Sequence, residues 1–260
     1  MVGPDPITDP KSCRQAILGR SLLSIAVLIA TAGVTSGQSI EDKLSQQAIH
    51  LPAKAGAFDQ LIDIAKWYKI PMGIEHVDED GKDPSQQPEI GVPSPDQHLT
   101  VDALIQEVLV ALPGYQATVV GGVLLIGKPE VMDSDKNFLN IRIPEYKASN
   151  MNVYGAEFNL RHAIDWVIHP EKYVGPHGYN GGYGYDPDSI LAQTRIDINL
   201  SGATVREIMS EIIRQSGHAM WAVHLVPEKT KPGARYFAQD DWPTREFHWR
   251  FIPLDQPQSR

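Results

Sequence analysis

Cysteine is almost absent from these 260 residues: Cys13 stands alone. A lone thiol closes no internal disulfide, and no thiolate set exists for a structural zinc site. Positive charge is also scarce, with 23 Lys and Arg against 32 Asp and Glu and a net charge of −9. That field repels phosphate backbones and anionic lipid surfaces, so no nucleic-acid partner is expected. Catalytic signatures are missing as well. There is no G-x-S-x-G, no Walker loop and no G-x-G-x-x-G after a strand. The apolar run at residues 22–29, even read on to Val34, falls short of the roughly 20 residues that span a bilayer.

What that run does resemble is a secretory signal. Lys11, Arg14 and Arg20 precede it, and small residues follow at Ala30-Thr31-Ala32 and Thr35-Ser36-Gly37. Residues 1–37 are therefore expected to be a signal peptide, cleaved between residues 32 and 37, with an uncleaved anchor as the alternative. Cleavage would remove Cys13, leaving no thiol ligand or nucleophile and no membrane span. The mature chain would be periplasmic or extracellular. It would carry 20 basic and 30 acidic residues, since Asp5, Asp9, Lys11, Arg14 and Arg20 leave with the signal.

Periodicity organises the remainder. Residues 49–52 read as a short strand stopped by Pro52. Phe58, Leu61, Ile62, Ala65 and Tyr68 fall on one helical stripe, and residues 70–74 read as a strand at a sheet edge because of Pro71. Residues 78–97 form an acidic, proline-rich loop. Thr100 is placed to cap a helix bearing Val101, Leu104, Ile105, Val108, Leu109 and Leu112. A hairpin follows, turning at Gly121-Gly122.

The second half has a similar order. Leu139, Ile141 and Ile143 alternate as a strand, and a helix is expected after Asn159, with Leu160, Ile164, Val167 and Ile168 on one stripe. Ile196, Ile198 and Leu200 alternate next. Thr204 is placed to cap a helix that Gly217 ends, and residues 220–226 read as a strand. Phe247, Trp249 and Phe251 give a last strand with one aromatic face, which reads as core, with an exposed partner face as the alternative. Thr100 and Thr204, Leu104 and Ile208, and Val108 and Ile212 repeat at a constant offset of 104.

The stretch HLPAKAGAFDQLIDIAKWYKIPMGIE, followed by HLTVDALIQEVLVALPGYQATVVGGVLLIG, resembles the secretin and TonB short N-terminal domain. That module lies at the periplasmic end of secretins and of signalling TonB-dependent receptors. The likeness covers residues 48–128, with a looser copy at 138–226. It implies an α+β fold of two small modules, 38–131 and 132–260, each with two helices packed on short mixed sheets. It implies protein–protein contact and no catalytic residues. The chain departs from the family in the length of the 78–97 loop and in having no secretin ring or receptor barrel within these residues.

Several residues are candidates for chemistry. The Gly/Tyr-rich loop within 174–189 offers His177, Tyr179, Asn180, Tyr183 and Tyr185 as partner-binding side chains, since tyrosines give broad faces with polar tips and glycines allow close approach. A flexible insertion is the alternative. Asp78, Asp80 and Asp83 fail as a calcium loop: with Gly81 in the sixth position, the twelfth is Gln87 rather than Glu. His162 and His169 are seven apart, not the four a helical zinc pair uses, and His169 sits where a cation meets a helix C-terminus. Ser201-Gly202 and Ser216-Gly217 suit turns. No cofactor and no metal are expected. The function expected is a non-catalytic adaptor or scaffold that binds an envelope protein. The competing classes are a hydrolase with dispersed Asp, Glu and His, and a glycan- or peptide-binding protein using the tyrosine loop.

Overall fold

Ser39 caps α1 (Ile40–Ser45): its hydroxyl accepts from the Asp42 N–H, and the Asp42 carboxylate accepts from the Ser39 N–H. The computed structural model describes residues 38–50, 52, 55–77, 99–168, 170, 186–227, 236–238 and 249–255. Helix α2 (Ala57–Tyr68) buries Leu61, Ile64, Ala65 and Tyr68 along one stripe and leads into β1 (Met72–Val77). Thr100 caps α3 (Val101–Val110), its side chain accepting from the Ala103 N–H. Strands β2 (Gln116–Val120) and β3 (Val123–Gly127) form the hairpin, with Gly121 and Gly122 at φ 57° and 82°, as a primed two-residue turn requires.

After a short helix α4 (Pro129–Met132) come β4 (Arg142–Asn152), α5 (Val153–Ile168), α6 (Ile190–Gln193) and β5 (Arg195–Thr204). Helix α7 (Val205–Ser216) starts with a capping box between Thr204 and Glu207 and stops at Gly217, whose φ of 64° is left-handed. Strands β6 (Ala219–Pro227), β7 (Tyr236–Ala238) and β8 (Trp249–Pro253) complete the described chain.

The result is an α+β fold built on one six-stranded mixed sheet of order β2-β3-β1-β6-β7, with β8 also paired to β6. Strand β1 runs parallel to both β3 and β6. The front and back halves of the sequence therefore share a single sheet. One face of it carries Met72, Ile74, Leu124, Ile126 and Met220 against α2 and α3. The other carries Leu125, Trp221, Val223 and Trp249 in a core with α5, α7 and the separate β4–β5 ribbon. Because both faces are covered, β1 and β3 are almost continuously buried. Among the described residues no helix is long and apolar enough to cross a membrane.

The structure departs from the sequence reading in four places. Strand β1 is central rather than at an edge. Pro71 lies just ahead of it, and its carbonyl accepts the Leu124 N–H, so the missing proline donor costs the ladder nothing. Ile49 and His50 are not in a strand, since both backbone groups of His50 bond to the Tyr68 hydroxyl. Phe138–Asn140 is a 3-10 turn rather than the start of a strand. The Asn137 side chain accepts from Leu139 N–H, and the Asn140 amide donates to the Met132 and Ser134 carbonyls. Finally, α5 begins at Val153, with Asn152 accepting from Gly155 N–H, which leaves Asn159 inside the helix.

Candidate functional site

The β2–β3 hairpin forms one border of the sheet. A two-residue turn closes on a hydrogen-bonded pair, here Val120 with Val123, and such pairs alternate along an antiparallel ladder. Gln116, Thr118 and Val120 therefore spend their backbone groups on β3. Ala117 and Val119 point theirs outward. Among the described residues β2 has no second strand neighbour.

Among the described residues this border lacks the usual safeguards. Strands at sheet margins are normally blunted by Lys, Pro, a bulge or a covering element. Gln116-Ala117-Thr118-Val119-Val120 has no charge and no proline, and its pairing to β3 runs in unbroken register. Val119 and Val120 are 39% and 52% exposed. The charge around it is equally distinctive. Between Glu107 and Glu130 the only charged residue is Lys128, whose ammonium lies 5.6 Å from the Tyr115 ring centre. On an acidic protein this hairpin is a neutral island.

The polar groups most relevant to a catalytic reading are engaged elsewhere. Glu75 of β1 is buried and bonds Arg206 Nε at 2.5 Å and Asn137 Nδ2 at 2.9 Å. Arg206 also reaches Asn140 Oδ1 and the Met132 carbonyl, so its planar donors are shared across three acceptor groups. At the opposite face, Asp255 holds His218 Nδ1 at 2.5 Å and Lys69 Nζ at 2.6 Å. Burial pushes the Asp255 carboxyl up, but the hydrogen bonds and charges of Lys69 and His218 together hold it below the usual carboxylate range. This is a surface clamp between the C-cap of α2, the α7–β6 junction and the exit of β8. A third pair, Glu157 and Arg161, lies against Trp249, with the guanidinium 4.5 Å from that ring. Burial raises the Glu157 carboxyl, and the Arg161 charge and hydrogen bond offset it in part.

Histidines meet aromatic rings. His76 and His224, partners in the β1–β6 register, stack 4.7 Å apart, with Phe58 beside His76. His162 meets Phe158 edge-on at 4.4 Å. Among the described residues no three His, Cys, Asp or Glu side chains are grouped to hold a metal ion. Trp249 and Phe251 are core residues, Trp249 packing edge-on against Phe138. Ser216 is buried and donates to the Ile213 carbonyl, while Gly202 takes a left-handed φ.

No family model matches the chain, and no curated protein or solved structure matches it.

The five side chains singled out for partner binding, His177, Tyr179, Asn180, Tyr183 and Tyr185, lie outside the described residues, as do His169, Asp78, Asp80 and Asp83. The backbone groups of Ala117 and Val119 were not singled out from the sequence. Their only signal was an uncharged hairpin, and which residues face outward depends on knowing that β2 is the border strand.

Proposed function

We propose that this chain is an exported, non-catalytic scaffold or adaptor of the bacterial cell envelope that captures an extended strand on β2. The carrying observation is the unguarded β2 border, with Ala117 and Val119 presenting backbone donors and acceptors. Strand addition draws affinity from those main-chain groups and specificity from alternate side chains. The arrangement of the back half also supports the likeness to the short N-terminal module of secretins and TonB-dependent receptors. There α5 and α7 share one core with the two-stranded β4–β5 ribbon and the larger sheet, in the order β4, α5, α6, β5, α7, β6. The proposed compartment is the periplasm or the cell exterior, with residues 1–37 acting as the export signal.

Affinity capture from a cell-envelope extract tests this, with the wild-type chain run beside Val119→Pro. Proline at 119 removes an outward-facing donor while leaving the β2–β3 bonds in place. An envelope protein retained by the wild type should be lost with the variant. Equal retention by both chains would remove β2 from the function.

A further inference from the structure

We infer that the strand received by β2 is β2 of a second copy of this chain, joined about a two-fold axis at Thr118. This rests on the reading of β2 as a docking edge and names its occupant.

The first support is register. The outward-facing residues, Ala117 and Val119, lie symmetrically about Thr118. Antiparallel pairing of two copies about that point sets Ala117 of each opposite Val119 of the other. Every outward backbone group of the two strands then meets a complementary one. Neither end extends the ladder further. The Tyr115 N–H is already given to the Leu112 carbonyl, and the Gly121-Gly122 turn ends the other side.

The second support is charge. Two copies with net charge −9 repel at most orientations, because like charges across an interface are costly. The hairpin is the exception: no acidic residue lies between Glu107 and Glu130, and the two-fold brings these neutral stretches together. The border strand also carries no ionic side chain that would call for a complementary foreign partner. Its Thr118, Val119 and Val120 are β-branched and exposed, and cross-strand pairs of such residues stabilise a ladder.

Cysteine scanning tests the register directly. In a background of Cys13→Ser the full chain has no other thiol. Thr118 would face its own copy at a non-hydrogen-bonded position, where Cα atoms lie about 4.5 Å apart. That falls within the roughly 4.4–6.8 Å a disulfide accepts. Thr118→Cys should therefore oxidise to a covalent dimer. Gln116→Cys and Val120→Cys should each remain monomeric alone, yet cross-link when the two are mixed, because 116 faces 120 of the other copy. Sedimentation of the uncross-linked chain should show concentration-dependent doubling of mass, abolished by Val119→Lys.

A chain that stays monomeric across the concentration series, with Thr118→Cys no more cross-linked than Gln116→Cys, overturns the second copy as occupant. If Val119→Pro still loses an envelope protein in that case, the docking edge stands and only its occupant changes. If capture is also unaffected, both readings fall.

Discussion

Glu75 of β1 and Arg206 of α7, 131 positions apart in sequence, meet in a 2.5 Å ion pair with the carboxylate fully buried. Asn137 and Asn140 complete the surrounding bonds. Breaking a buried pair from one side strands the remaining charge, which costs about 3–5 kcal/mol. Arg206→Met is expected to lower the urea midpoint by a corresponding amount. Adding Glu75→Met should recover part of the loss, and a double-mutant cycle should show coupling between the two positions. Independent, additive effects would count against the pair as a tie between the halves.

Gly73 is a packing requirement. A Cβ built there stands 2.2 Å from Trp221 Cζ2, and Trp221 is its register partner on β6. Gly73→Ala is expected to cost about 1–3 kcal/mol through overpacking, read as a lowered thermal midpoint. Trp221→Leu in the same chain should relieve most of the clash. A Gly73→Ala protein that melts with the wild type would contradict the close approach.

Two carboxyls give stability opposite dependences on pH. Asp255 is held below its ordinary value of 3.8, mainly against burial, by Lys69 and His218. Its contribution is present above 3.8 and disappears as pH falls through the lower folded value. Glu157 is raised above 4.5 by burial, so its contribution is present below 4.5 and is lost as pH rises through the higher folded value. Asp255→Asn should flatten the acid limb of a stability-versus-pH curve. Glu157→Gln should flatten the limb above it. Surface exposure of the Asp255 clamp makes its effect the smaller of the two.

Local elements were legible where side-chain chemistry decides them. Thr100 and Thr204 cap their helices, Gly217 ends α7, and Gly121-Gly122 turns the hairpin, because each residue type answers a specific backbone need. Pairing across distance was not legible. Pro71 read as a sign of an edge, yet one residue of separation frees β1 to be central. Alternation at Leu139, Ile141 and Ile143 fitted a strand, but side-chain bonds from Asn137 and Asn140 bend the backbone there. The lone carboxylate in an otherwise apolar stretch, Glu75, was the available sign of a buried ionic partner. Arg206 could not be assigned to it from spacing.

The central place of β1 also sets a folding schedule. Its neighbour on one side, β3, is complete by Gly127, but its neighbour on the other, β6, begins only at Ala219. A nascent chain holding just the first half keeps a six-residue, almost wholly buried strand with one flank unsatisfied. Such a chain is a template for misassociation until the closing segments are synthesised.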